Sequence, residues 1–127
     1  YSWTEALFDS GPFNGNDLPL VPRNKLSFSS TYKAGDFSFN LLGVYTGRRY
    51  TISDQDNSNR SLSGYTTVDF NVLYRKGNFM AQGGVKNIGA TQYYDYGVAS
   101  AFGPRVNVYP APERQYFLKV EYLFTAK

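Results

Sequence analysis

A chain of 127 residues is the size of one domain, and 18% of it is aromatic, with 12 Tyr and 10 Phe. It contains no Cys and no His, which excludes thiol chemistry, disulfides, imidazole acid–base work and most transition-metal sites. The net charge of +3 is scattered rather than gathered into a basic run, so no nucleic-acid partner is expected.

Period-two alternation dominates, and no apolar run approaches a membrane helix. Six strands are predicted, over about 1–8, 24–33, 37–48, 65–75, 79–88 and 114–124. The first, YSWTEALF, starts at Tyr1 as though inside a strand, with no leader-like pattern before it, so a longer parent polypeptide is expected. In 24–33, Leu26, Phe28 and Tyr32 oppose Lys25, Ser27, Ser29 and Thr31. In 37–48, Phe37, Phe39, Leu41 and Tyr45 align, with Leu42 and Val44 opposite. In 65–75, Val68, Phe70, Val72 and Tyr74 oppose Thr67, Asp69 and Asn71. In 79–88, Phe79, Ala81 and Val85 oppose Gln82 and Lys86. In 114–124, Tyr116, Leu118, Val120, Tyr122 and Phe124 oppose Lys119 and Glu121.

The connections alternate in length. YKAGDF at 32–37 and YRKGNF at 74–79 are near repeats, each a tight turn in which Gly supplies a positive φ. The segments 9–23, 49–64 and 89–113 are long and rich in Gly, Asn, Ser, Asp and Pro. Short turns at one end and long loops at the other characterise outer-membrane barrels. The fold expected is all-β: an antiparallel, up-and-down transmembrane barrel segment of about six strands of a larger barrel. Tyr32, Phe37, Tyr74, Phe79, Tyr122 and Phe124 then share one level beside the polar turns, as a membrane-interface aromatic girdle does.

Five segments, in order and over essentially the whole chain, resemble the C-terminal barrel of TonB-dependent outer-membrane receptors. They are LPLVPRNKLSFSSTY (18–32), LLGVYTGRR (41–49), SGYTTVDFNVLYR (63–75), GGVKNIGATQYYDY (83–96) and NVYPAPERQYFLKVEYLF (107–124). The pattern departs from the family at Ile88 and Gly89, where Leu-Phe is usual, at Glu113, where Gly is common, and at Lys119. Phe124 is also followed by Thr125, Ala126 and Lys127, whereas the family usually ends on an aromatic residue. The resemblance implies an active importer for a scarce nutrient: a ferric siderophore, haem, cobalamin or an oligosaccharide. It implies residues 1–127 as the C-terminal part of the receptor barrel, without its plug or remaining strands. The partners implied are those strands and the plug, TonB through the missing N-terminal part, outer-membrane lipid and lipopolysaccharide, and the imported small molecule. It places the long loops outside a Gram-negative cell and the short turns and C-terminus in the periplasm. About 22 strands close such a barrel, so this segment needs partner strands.

The site residues expected are not catalytic. No His completes a triad, no Gly-x-Ser-x-Gly occurs, and neither cofactor nor metal is implied. The DQDNSN run (54–59) alternates oxygen ligands like a Ca²⁺ loop but lacks the Gly and the terminal Glu, so it is expected to be a solvated surface loop. Loop 89–113 gathers Tyr93, Tyr94, Tyr96, Phe102, Arg105 and Tyr109; Arg48, Arg49 and Tyr50 form a second cluster. Both are candidate ligand contacts, with bracing of the loop and attraction of lipopolysaccharide phosphates as the competing roles. Lys25, Asn40, Asp69, Asn71, Arg75, Gln82, Lys86, Lys119 and Glu121 are expected to face the lumen and, by the resemblance, a plug. The rival from another class is a soluble, secreted β-sandwich that binds carbohydrate through Tyr-rich faces. A small autonomous barrel, or an oligomer pooling strands, is a third possibility.

Overall fold

The computed structural model describes residues 1–59, 61–100 and 105–124. Eight strands occur: β1 Ser2–Trp3, β2 Asn24–Ala34, β3 Phe37–Thr46, β4 Tyr65–Lys76, β5 Phe79–Lys86, β6 Tyr94–Ala99, β7 Val106–Pro110 and β8 Gln115–Tyr122. The order β1-β2-β3-β4-β5-β8 makes one six-stranded sheet, and β6 and β7 make a second. Two differences from the sequence reading stand out. The strand expected over 1–8 pairs with β2 only at Ser2–Trp3, because beyond Thr4 the chain leaves β2 and bonds to 16–18 instead, with Leu7 bridging Asp17 and Leu18 N bonded to Ala6 O. The segment 89–113, expected as a loop, contains the β6–β7 ribbon.

The chain divides into two compact units. The first, the sheet unit, comprises Ser27–Val44, Thr67–Thr91 and Glu113–Lys127. Its hairpins turn at Gly35-Asp36 and Gly77-Asn78. Only the Gly has a positive φ, +57° and +54°, as a type II′ turn requires. The repeated six-residue formula is therefore one turn used twice. Beyond β5, Asn87 holds a positive φ of 51° while its amide donates to Asp69 Oδ1 at 2.8 Å. Its side chain also bonds both backbone groups of Thr91. Asn tolerates this conformation because its short amide bonds the local backbone.

Gly84 faces Asn71 on β4 and Phe117 on β8. A Cβ there would lie 2.6 Å from Phe70 O, 2.7 Å from Asn71 Cβ and 2.8 Å from Phe117 Cε1. The Phe117 ring covers the glycine, so this position admits no side chain. The burial is the reverse of a soluble core. Tyr116, Leu118, Val120, Tyr122 and Phe124 are exposed, with Phe124 at 89%. A surface this apolar, continuous along one strand face, calls for a nonaqueous neighbour.

The second, the loop unit, comprises Tyr1–Leu26, Tyr45–Thr66 and Gln92–Pro112. Among the described residues, its buried side chains are Thr46, Arg49, Thr51, Asp54, Leu62 and Ala111, a mostly polar set. Backbone and side-chain hydrogen bonds therefore hold this unit more than apolar packing does. Arg49 and Leu62 bridge antiparallel, and Ile52 bridges Val98 in parallel, which attaches the ribbon.

Candidate functional site

The polar face of the sheet unit is a hydrogen-bonded row. Thr31 donates to Asn40 Oδ1 at 2.8 Å, and Asn40 Nδ2 donates to Asn71 Oδ1 at 3.0 Å. Gln82 Nε2 donates to the same Asn71 oxygen at 3.1 Å, and Gln82 is the register partner of Lys119. Lys119 and Glu121, two apart on β8, form an ion pair at 2.5 Å. Asp69 is committed to the Asn87 amide. Lys86 is exposed opposite Gln115, and Lys25 is exposed opposite Ser2. Short amide side chains at successive register positions reach one another across strands about 4.8 Å apart, so each neutralises its neighbour's polarity.

The opposite face carries a row of rings. Tyr32 and Phe37 each lie 6.3 Å from Phe39, Phe37 lies 4.8 Å from Tyr74, and Tyr74 lies 6.2 Å from Phe79. Phe79 pairs in register with Tyr122, whose ring meets Phe124 at 4.8 Å. The six aromatic residues singled out in the sequence thus lie along one continuous line, with Phe39 as the link that sequence reasoning had placed on this face but not in the row.

In the loop unit Arg49 is a hub. Its Nη2 donates to Tyr94 O at 2.6 Å and Asp95 O at 2.8 Å, and its guanidinium lies 5.4 Å above the Tyr65 ring. Tyr65 stacks on Tyr93 at 4.0 Å, and Tyr96 stacks on Tyr109 at 4.4 Å. Tyr94, Tyr96, Arg105 and Tyr109 are exposed, as is Arg48, whereas Arg49 is 6% exposed. Phe102 lies outside the described residues, as do Thr125, Ala126 and Lys127. Tyr65 was missed as a member of this group; the signal was its place at the start of a strand, on the polar side of the alternation.

The DQDNSN segment is not simply solvated. Asp54 is wholly buried, and its Oδ1 accepts from the amides of Ser58 and Asn59 and from Asn59 Nδ2 at 2.9–3.2 Å. Asn57 bonds Asp17 in both directions, through Asp17 N to Oδ1 and through Nδ2 to Asp17 O. Asp56 stays at the surface, where the Ser58 hydroxyl, donating at 3.0 Å, holds its carboxyl below the ordinary value. Among the described residues no group of three or more acidic side chains is placed to hold a metal. Arg23 and Asp17 pair at 2.8 Å, which raises the Arg23 pKa.

The family model described as TonB dependent receptor-like, beta-barrel matches residues 1–88. No curated protein sequence matches the chain significantly. Among solved structures, the siderophore receptor PiuA from Acinetobacter baumannii superposes with a TM-score of 0.72 at 22% identity, over 87% of this chain and 15% of that one. The ferric-catecholate import receptor Fiu from E. coli K12 gives 0.71 at 24% identity, over 85% and 15%. The ferric citrate transporter FecA gives 0.73 at 22% identity, over 88% and 18%. At these identities the likeness is one of fold, and the chain spans less than a fifth of the length of each of these structures.

Proposed function

The chain belongs to the TonB-dependent receptor β-barrel family, and from that premise we propose that it forms the C-terminal part of the barrel wall of an outer-membrane importer. The observation that carries this reading is the two-faced sheet: a hydrogen-bonded polar row on one side and a line of rings with exposed aliphatic neighbours on the other. Lipid would cover the ring face, with Tyr32, Phe37, Tyr74, Phe79, Tyr122 and Phe124 at the membrane interface. Asn40, Asn71, Lys119, Glu121 and their neighbours would line the lumen and meet a plug. A soluble sandwich fits poorly, because it would cover the apolar face with a second sheet, and here Phe28, Tyr32, Leu118 and Val120 on that face are exposed.

The substrate class is a scarce nutrient too large to diffuse, and the similarity to receptors for siderophores and iron complexes favours a ferric chelate. The exposed rings of Tyr94, Tyr96 and Tyr109, with Arg105, supply amphipathic contact and a fixed positive charge for capture. Arg49 holds the strand that presents them. Import would follow from rearrangement of the plug, driven through TonB from the inner membrane. No bond is made or broken in this mechanism, in keeping with a family of transport receptors and not enzymes. The test is uptake of labelled ferric chelates, haem, cobalamin and oligosaccharides by cells expressing the full-length receptor. Uptake of one class that collapses without TonB supports the reading; TonB-independent uptake, or none, overturns it.

A further inference from the structure

Segment 54–59 winds around one buried carboxylate, whose two oxygens are treated unequally. Asp54 Oδ1 accepts from Ser58 N, Asn59 N and Asn59 Nδ2 at 2.9–3.2 Å, whereas Oδ2 is buried and meets no donor. Thr51, whose carbonyl accepts from the Asp54 amide at 3.2 Å, is also wholly buried, and its Oγ1 has no partner either. A second carboxylate adjoins the first. The Asp56 carboxyl is held below its ordinary value by the Ser58 hydroxyl first and further by a hydrogen bond with Asp54, while desolvation opposes both. A hydrogen bond between two carboxyls needs a proton between them. When both are ionised, two like charges face each other, one of them out of water. Among the described residues, neither forms an ion pair with a Lys or Arg. Buried oxygens left in this way are costly unless something positive meets them.

We propose that Asp54 Oδ2 and the Asp56 carboxylate bind a calcium ion, with the Thr51 hydroxyl, in the same turn, and water completing the oxygen set. All of these are hard oxygen donors, which suits an alkaline-earth ion. Calcium fits better than magnesium, because an irregular set built on one fixed carboxylate does not offer the near-ideal octahedron that magnesium demands. Two carboxylates give a low ligand charge, so the affinity belongs at the weak end of calcium sites, about 10⁻⁴–10⁻³ M. The ion fixes more than its own turn. Asn57 bonds Asp17 in both directions and Asn16 Nδ2 donates to Gln55 O, so segment 54–57 anchors 16–17. Ile52 N donates to Gly97 O at 2.7 Å, so the residues leading into the site also anchor β6.

The test is amide hydrogen exchange on the full-length receptor in a neutral detergent, stripped with chelator and titrated at neutral pH with calcium or magnesium chloride. The Ser58, Asn59 and Asp17 amides, each bonded within this network, are expected to slow with a calcium midpoint of about 10⁻⁴–10⁻³ M and to respond less to magnesium. Asp54→Asn keeps the Oδ1 acceptor and puts an amide donor in place of Oδ2. It should therefore fold, hold these amides slow without calcium and ignore added calcium. Asp56→Asn is expected to raise the midpoint about tenfold or more, through the lost ligand charge. Equal calcium responses in wild type and Asp54→Asn overturn the site, since the ion then acts elsewhere on the receptor. Absence of a calcium response in wild type overturns the cation; slow exchange that appears instead as the pH falls assigns a shared proton to the pair. The measurement requires neither import nor sidedness, so its failure is separable from failure of the transport reading.

Discussion

Gly83 and Gly84 are adjacent on β5, yet substitution by alanine should act in opposite directions. At Gly84 the new methyl would meet a carbonyl oxygen and a Cβ of β4 at 2.6 and 2.7 Å, neither of which belongs to the far end of a flexible side chain. Relief requires the β4–β5 ladder to part locally. Overpacking of this kind costs about 1–3 kcal/mol, and two rigid obstacles argue for the upper half of that range. At Gly83 the nearest atoms are Leu118 Cδ1 at 3.6 Å and Phe117 O at 3.7 Å, ordinary contacts. Gly83→Ala should therefore be neutral or stabilise by about 0.5–1 kcal/mol, the usual strand penalty of glycine. The assay is urea-dependent unfolding of the full-length receptor in detergent micelles, followed by tryptophan fluorescence and by heat-modifiable gel mobility. Truncating the ring as well, in Gly84→Ala with Phe117→Leu, should recover only part of the loss, since the β4 atoms remain. Equal effects of the two alanines would refute the assigned register and with it the face of every residue on β5.

Asn71 accepts from both Asn40 and Gln82, so Asn71→Leu leaves two half-buried amides without their acceptor and should destabilise by about 1–3 kcal/mol; the same urea titration measures it. Arg49→Met removes two hydrogen bonds to carbonyls of β6 and the cation above Tyr65. Faster amide exchange confined to 94–99 and 106–110, with sheet amides unchanged, is the expected outcome. The Asp56 carboxyl lies below its ordinary 3.8 because Ser58 donates to it. That contribution is complete above 3.8 and fades as pH falls through the lowered value, so loop order at neutral pH is unaffected. Ser58→Ala should move the titration upward, read by carbon NMR of the carboxyl.

How much was legible in the sequence depended on whether a residue's environment repeats with the strand period. β4 reads Val68, Phe70, Val72, Tyr74 against Thr67, Asp69, Asn71, and each of those faces meets a uniform surroundings, so alternation located the strand and both of its rows. The two hairpins were legible because a type II′ turn needs glycine at one position. β6 and β7 were not: they form a two-stranded ribbon with a register shift between Tyr94 and Tyr96, and Pro110 ends it. Their Gly, Asn and Pro content is that of a loop. Asp54 was illegible for a different reason. A carboxylate that caps the amides of Ser58 and Asn59 has the same composition around it as a solvated one, and only the burial distinguishes them. Arg48 and Arg49 looked equivalent as a pair. The Nη2 bonds of Arg49 to two ribbon carbonyls separate them, and a ribbon that was not foreseen could not supply that signal.

The edges of the six-stranded sheet bear on what the proposed membrane setting requires. β1 pairs with β2 only at Asn24 and Lys25, so among the described residues no strand lies beside the outer edge of β2 from Leu26 to Ala34. β8 pairs on one side, with β5, from Gln115 to Tyr122. In water such edges are wetted; in hydrocarbon each unpaired amide or carbonyl costs several kcal/mol. A segment with exposed Leu118, Val120 and Phe124 beside an open edge cannot rest in lipid alone. On the proposed barrel-wall reading, other strands would continue the ladder at both edges. The consequence is measurable by hydrogen exchange on the full-length protein in micelles. Amides of alternate residues along β8, and along β2 beyond Lys25, should exchange as slowly as those of β4, which is paired on both sides. Fast exchange at either edge would mean that the edge is wetted, and the barrel-wall reading would fail at that strand.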